Sequence, residues 1–268
     1  MRVRLAAVVA VSAFALAACG GSNAAEDPNA PISVAVSPQP HGEILEYVDR
    51  ELAPKAGIDL EIEKFDDYNR PNEAVANGEI DANYFQHIPY LDQYKSERGG
   101  DLVWVGPVHL EPLAVYSKQF KSVQELPAGA TVTLSNDPAN QFRGLKLLET
   151  NGLVKLKPEA AVGTRLDAAI AENPKNIQFK DLSPDQLPRS VDDAAAAVVN
   201  GNYALKANLQ NPIAVESAQD NPYANGLVTS SKLVQDPRIK KLAEILRSPE
   251  VKDHINRTYG GVGVVPAS

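Results

Sequence analysis

The chain has one cysteine, one methionine and one tryptophan in 268 residues, and only four histidines. A lone thiol has no partner in its own chain, so no intramolecular disulfide braces the fold. The short signatures of several common catalytic sites are missing: there is no GxSxG elbow, no HExxH pair and no P-loop. Carboxylates are plentiful, yet no spacing singles out an acid–base pair. An enzyme is therefore not expected, and no cofactor is expected either. Basic residues are in the minority, 26 Lys and Arg against 34 Asp and Glu. That balance argues against a nucleic-acid partner, which would favour a basic face. Solubility alone is reason enough for the acidity.

Only one apolar run is conspicuous, residues 5–18, with Arg2 and Arg4 ahead of it. It is too short to remain as a spanning helix, and its basic flank fits a secretory signal peptide. The run ends Leu16-Ala17-Ala18-Cys19-Gly20. Small residues before a cysteine suit a lipoprotein signal peptidase, so residues 1–18 are predicted to be removed and Cys19 to carry a lipid. An ordinary signal peptide beside a chance cysteine is the alternative. Residues 19–30 are small, polar and proline-punctuated, as in a flexible tether. The predicted location is the extracytoplasmic face of the cell membrane, with the lipid as anchor. Removing residues 1–18 takes away two arginines and no acid, leaving 24 basic residues against 34 acidic ones.

The remaining chain alternates strand-like and helical patterns. Residues 32–37 and 58–65 read as strands. Residues 42–56 place Ile44, Leu45, Val48 and Leu52 on one helical face. Residues 70–78 suit a helix with Pro71 in its first turn and Gly78 at its end. A short strand at 82–85, a helix at 89–98 and a strand at 102–108 follow. Residues 130–134 read as a strand, and Asn136-Asp137-Pro138 as a capped helix start. Residues 177–179 and 195–199 read as strands, and Ile239, Leu242, Ile245 and Leu246 mark a late amphipathic helix. Gly260, Gly261 and Gly263 suggest a loose tail. Strands alternating with helices predict an α/β protein with largely parallel sheets. Segment 107–112, an extended stretch bracketed by prolines, and segment 216–225, rich in Asn, Asp and Pro, read as crossings between two lobes. The first lobe is predicted to span residues 31–112 plus 224–268, and the second 113–223. Such a pair can close on a ligand like a jaw.

The segment DANYFQHIPYLDQY (81–94) resembles the most distinctive stretch of the MetQ/NlpA family of lipoproteins, the methionine-binding components of ABC importers. FDDYNRPNEA (65–74), EPLAVYSK (111–118), LSNDPANQFRGLKLLE (134–149), ENPKN (172–176), QLPRSVDDA (186–194), VVNGNYA (198–204) and NPYANGLV (221–228) match in the same order. The resemblance implies a two-lobed, type II-like periplasmic-binding-protein fold with the ligand in its cleft. It also implies methionine or a related small ligand, a membrane permease and a cytoplasmic ATPase as partners. D-methionine, a methionine-containing dipeptide and another apolar amino acid stay open as ligands.

By the same resemblance Tyr68, Phe85 and His87 line the side-chain slot, with Tyr84 and Tyr90 in reserve. A thioether packs well on aromatic rings, at ~0.3–1.5 kcal/mol per contact. Core packing would explain the same aromatics. Arg143 matches the family arginine that holds the carboxylate, and a guanidinium fork suits that group; a surface salt bridge is its plain alternative. Asn200 and Asn225 match asparagines at the backbone end of the ligand, although Asn-Gly pairs also make turns. Glu111, on the first crossing, could pair with an ammonium or simply shape the hinge. Some relatives carry tyrosine there. A rival reading takes His41, His87, His109 and Glu111 as metal ligands, but their spacing carries no tight metal signature, and no metal is expected.

Overall fold

Short β-branched runs separated by amphipathic stretches build two sheets, each covered by its own helices. The computed structural model describes residues 30–267. The signal peptide, the lipidated Cys19 and nearly all of the tether predicted above lie outside the described residues. The chain begins β1 (Ile32–Val36), α1 (Glu43–Glu51), α2 (Ala53–Ala56), β2 (Leu60–Lys64), α3 (Arg70–Asn77), β3 (Ala82–His87), α4 (Ile88–Arg98) and β4 (Leu102–Leu110). It continues with β5 (Ala114–Tyr116), β6 (Thr131–Ser135), α5 (Pro138–Thr150), β7 (Lys155–Leu156), α6 (Leu166–Ala169), β8 (Ile170–Glu172) and β9 (Gln178–Leu182). Next come α7 (Leu187–Ser190), β10 (Ala196–Val199), α8 (Gly201–Lys206) and β11 (Ala214–Val215). It ends with β12 (Asn225–Ser230), α9 (Pro237–Leu246), α10 (Pro249–Tyr259) and β13 (Val265–Pro266).

The first sheet has the order β13-β4-β12-β3-β1-β2, and the second β11-β5-β10-β6-β9. In the first, β1 runs parallel to β2 and β3, while β12 lies antiparallel between β3 and β4. In the second, β6 is parallel to β9 and β10, and β5 is antiparallel to β10. The chain leaves the first sheet after Leu110 and rejoins it at Asn225, so two crossings join the lobes.

Alternating side chains feed two faces of the first sheet. Val34, Val36, Tyr84 and Leu227 pack under Ile44, Leu45 and Val48 of α1, with Leu242 and Leu246 of α9 and Ile255 of α10. Ala35 and Val228 face α3 and α4, against Val75 and Leu91. The second lobe repeats the scheme with Val132, Leu134 and Val198 against Leu145 and Leu148 of α5. Each fully buried aliphatic side chain of this kind contributes about 1.5–3 kcal/mol.

Four elements differ from the sequence reading. The helix predicted over 42–56 breaks at Leu52 (φ −119°), because Pro54 has no N–H and its ring excludes the carbonyl four residues back. The strand predicted to end at 108 runs on to Leu110. It carries Pro107 in the sheet, where the register with β12 shifts between Asn225 and Gly226; such irregularities are where a sheet accepts proline. The glycines at 260–263 do not make a loose tail. They form a turn that brings Val265 opposite Leu110 at the sheet edge. The strand predicted over 82–85 reaches His87 and contains a bulge: Leu227 pairs with Tyr84 and Gly226 with Gln86, which leaves Phe85 without an opposite number.

Candidate functional site

The ends of the strands converge on the gap between the lobes, the place where open α/β sheets bind ligands. Beyond β1 comes His41; between β2 and α3, Tyr68; at the end of β3, Phe85 and His87; just past β4, Glu111. The antiparallel β12 starts at the same edge with Asn225. The second lobe contributes Asn140 and Arg143 from α5, which follows β6, and Asn200, which follows β10. All seven residues singled out from sequence (Tyr68, Phe85, His87, Glu111, Arg143, Asn200, Asn225) line one pocket. His41, Gln86, Tyr90, Asn140, Gly201 and Asn202 complete its wall. Of the two reserve tyrosines, Tyr90 faces this space, whereas Tyr84 is buried beneath it.

One side is aromatic. The ring centroids of Tyr68, Phe85 and Tyr90 lie 5.8 Å apart pair by pair, within the range of attractive tilted and edge-to-face contacts. Ala139 of the second lobe packs on this cluster. The Tyr90 hydroxyl donates to the Tyr68 carbonyl (3.1 Å), and the Tyr68 hydroxyl donates across the gap to Asn202 Oδ1 (2.6 Å). The bulge in β3 matters here, since Phe85, Gln86 and His87 all reach the same wall, where strict alternation would give two of the three.

His87 caps α4. Its Nδ1 accepts from the Tyr90 backbone N–H (3.2 Å), so its Nε2–H donates to Asn140 Oδ1 (3.2 Å). Burial, followed by the nearby Arg143 charge, holds its pKa down at about 3. The ring is a neutral donor, with its tautomer fixed by two named partners.

The other side is polar. Asp137 caps α5 by accepting from Asn140 N (2.8 Å), and Pro138 occupies the first turn, as the sequence pattern requires. That helix carries Asn140 and Arg143 three residues apart, on one face. Arg143 is 3% exposed and doubly engaged. Its Nε donates to Glu216 Oε1 (3.1 Å), and its Nη2 to Glu216 Oε2 (2.6 Å) and to the Glu111 carbonyl (2.9 Å). The guanidinium also sits 4.4 Å from the centre of the Tyr223 ring. None of these hydrogen bonds uses Nη1. Asn200 donates from Nδ2 to Asn140 Oδ1 (2.9 Å), while its own Oδ1 is buried with no hydrogen-bond partner. An unpaired buried acceptor is costly, so this atom is set for a donor that the protein does not supply.

Glu111 is 4% exposed, and its Oε1 accepts from His109 Nε2 (2.7 Å) with His41 Nε2 at 3.2 Å. Burial raises its pKa, partly offset by His41, Arg143 and the Asn202 backbone N–H. The donor atoms of His41, His109 and Glu111 lie within 4.8 Å of one another. Three of the four ligands of the rival metal reading are thus neighbours, whereas the fourth, His87, is committed to Asn140.

Sequence reasoning missed Asn140, Asn202 and Glu216. Asn140 was within reach, one helical turn ahead of Arg143. Glu216 is 73 residues from Arg143 in sequence and carries no local signal. Among the described residues, no helix is long and apolar enough to cross a membrane.

Two α/β lobes, two crossings and a cleft fed by strand ends from both lobes define the class of two-lobed substrate-binding proteins. The chain belongs to the NlpA lipoprotein family, whose model matches residues 32–268. It is 41% identical over 272 residues to the methionine-binding lipoprotein MetQ of Bacillus subtilis (strain 168), covering 98% of each chain. It is 42% identical over 260 residues to the D-methionine-binding lipoprotein MetQ of Salmonella typhi, covering 95% of this chain and 94% of that one. A nutrient-binding protein from Burkholderia cenocepacia, solved bound to methionine, superposes with a TM-score of 0.84 at 41% identity, covering 88% of this chain and all of the other.

Proposed function

We propose that this protein captures methionine, or a closely related small amino acid, on the outer side of the membrane and delivers it to an ABC permease coupled to a cytoplasmic ATPase. The observation that carries the reading is the pairing of two unfilled demands in one pocket between the lobes. Asn200 Oδ1 lacks a donor, and the Tyr68, Phe85 and Tyr90 rings frame an apolar slot beside it. A zwitterion with a thioether tail meets both. Its carboxylate goes to Arg143, its ammonium to the acceptors at the other pole with Asn225 beside them, and its sulfur to the rings. Contacts from both lobes make closure favourable when the cleft is filled. Binding without chemical change is the expected activity.

A lipid on Cys19 would keep the protein beside its permease. Cys19→Ala is expected to release it from membranes with its affinity unaltered; retention at the membrane after that change would refute the anchor. The ligand is tested by isothermal titration of unliganded, refolded protein with both methionine enantiomers, leucine and Gly-Met. Both enantiomers are needed because relatives are named for methionine and for D-methionine. Saturable binding of a methionine enantiomer, tighter than leucine, is expected; heat from none of the four would sink the proposal.

A further inference from the structure

We propose that Asp66 of the first lobe and Tyr203 and Lys206 of the second form a latch that holds the lobes together and sets how slowly a captured ligand leaves. This rests on the binding reading above and deepens it. None of the three residues lines the ligand pocket. Each half of the latch is built within its own lobe. In the first, the segment between β2 and α3 is pinned at both ends. The Phe65 N–H donates to the Val36 carbonyl (2.8 Å), and the Asp67 carboxylate accepts from the N–H groups of Asn69 (2.7 Å) and Arg70 (3.2 Å). An aspartate that bonds the backbone two residues on fixes such a turn, and Asp66 is carried on it. In the second lobe, Tyr203 and Lys206 stand on α8. The Tyr203 ring is 5% exposed and packs in a cluster with Leu187, Val191, Ala197 and Val199 of its own lobe.

The two halves meet across the gap. The Tyr203 hydroxyl donates to the Asp66 carbonyl (2.8 Å), and Lys206 Nζ donates to Asp66 Oδ1 (2.6 Å). The Tyr203 and Tyr68 ring centroids lie 5.2 Å apart, again across the lobes. When the lobes separate, all of these groups return to water. A contact made in the closed form and absent from the open one favours closure by its own free energy, whichever ligand fills the cleft. The ligand enters the open form before the latch is made, and leaves after it is broken. The latch therefore acts on the dissociation rate and leaves the association rate alone. Its two bonds differ in character. The tyrosine bond is sheltered, whereas the ion pair is exposed, 50% at Lys206 and 73% at Asp66, so salt screens it. A further bond between the lobes, from the Ala139 N–H to Gln93 Oε1 (3.2 Å), survives the loss of either. Cutting the latch thus loosens closure without abolishing it. Tyr203 and Lys206 act through the position of the lobes and are positioning residues.

The test uses the refolded full chain loaded with radiolabelled L-methionine, or D-methionine if only that enantiomer binds, and chased with unlabelled ligand. Tyr203→Phe keeps the ring and removes one neutral hydrogen bond, so dissociation is expected to speed up about three- to tenfold, with association unmoved. Lys206→Met keeps the apolar stem and removes the ion pair, for a gain in rate of about two- to fivefold. Asp66→Asn is expected to match it, and the double variant Asp66→Asn, Lys206→Met to add nothing further, because both ends of one pair are gone. Raising the salt concentration should speed release from wild type and have less effect on Lys206→Met. An unchanged dissociation rate in Tyr203→Phe or in Lys206→Met would overturn the latch. So would a loss of affinity that appears in the association rate, which would mark damage to the open form, and so would effects of Asp66→Asn and Lys206→Met that multiply. Wild type that binds neither enantiomer would remove the methionine reading and the latch together, whereas a failed latch leaves wild-type methionine binding intact.

Discussion

Arg143 is where charge is concentrated in the cleft. It holds Glu216 with two nitrogens and the Glu111 carbonyl with one of them, tying the two crossings to α5. Arg143→Ala therefore does two things: it removes the proposed partner of the ligand carboxylate and leaves Glu216, 15% exposed, without its cation. Affinity is expected to fall by about 2–5 kcal/mol, as when one member of a buried charged pair is truncated. Arg143→Lys should lie between, because an ammonium keeps the charge but lacks the fork that spans several acceptors. Titration calorimetry with methionine decides, and an unchanged dissociation constant in Arg143→Ala would refute the carboxylate role. Chemistry at this scale was legible where it depended on one residue and its neighbours in sequence, as with the capped start of α5 at Asn136-Asp137-Pro138. The distant partners of the site residues were not. Glu216 for Arg143 is set by the second crossing returning beside α5, and Asn202 for Tyr68 by the meeting of the two lobes, across 73 and 134 residues of chain, and no local pattern encodes such distances.

At the scale of elements, α8 approaches the first crossing so closely that its first residue has to lack a side chain. A Cβ at Gly201 would lie 2.6 Å from Glu111 Cβ and 3.0 Å from Oε2. From sequence, Asn200-Gly201 looks like a turn. In the structure the glycine is a contact surface, with helical continuation behind it. Gly201→Ala is expected to push α8 off Glu111 at an overpacking cost of about 1–3 kcal/mol. Since part of the cleft wall moves, methionine affinity should fall about 10-fold or more at 1.4 kcal/mol per decade. A shrunken ligand-induced rise in melting temperature would accompany it, and wild-type affinity would show that the contact has slack. Strand and helix identities were largely readable, because periods of two and 3.6 survive in a single sequence. The bulge at Phe85 was not readable, since it is defined by what β12 places opposite. The short strands β5, β11 and β13 were not either, because two or three residues carry no period.

For the whole molecule, closure sets the acid response. His41, His87 and His109 are buried between or beneath the lobes, with pKa values held down at about 4, about 3 and about 3, chiefly by burial. In the unfolded chain each titrates near the ordinary 6.5. Below pH 6.5 the unfolded state thus binds more protons than the native one, and stability rises with pH. The stability present above pH 6.5 is lost as the pH falls toward 4, at up to about 1.4 kcal/mol per pH unit for each histidine. Glu111 and Asp137 work the other way. Burial raises both, so the native state retains their protons longer, and their contribution is lost as pH rises through the folded value. Three histidines against two acids leave a net loss on acidification from pH 7 to 5. Urea unfolding at pH 7, 6 and 5 should show it, with His87→Gln, which keeps a neutral donor for Asn140, giving a shallower slope than wild type. Equal slopes in the two proteins would mean that His87 is protonated in the folded state, which requires water in a cleft whose walls already meet through Tyr68 and Asn202.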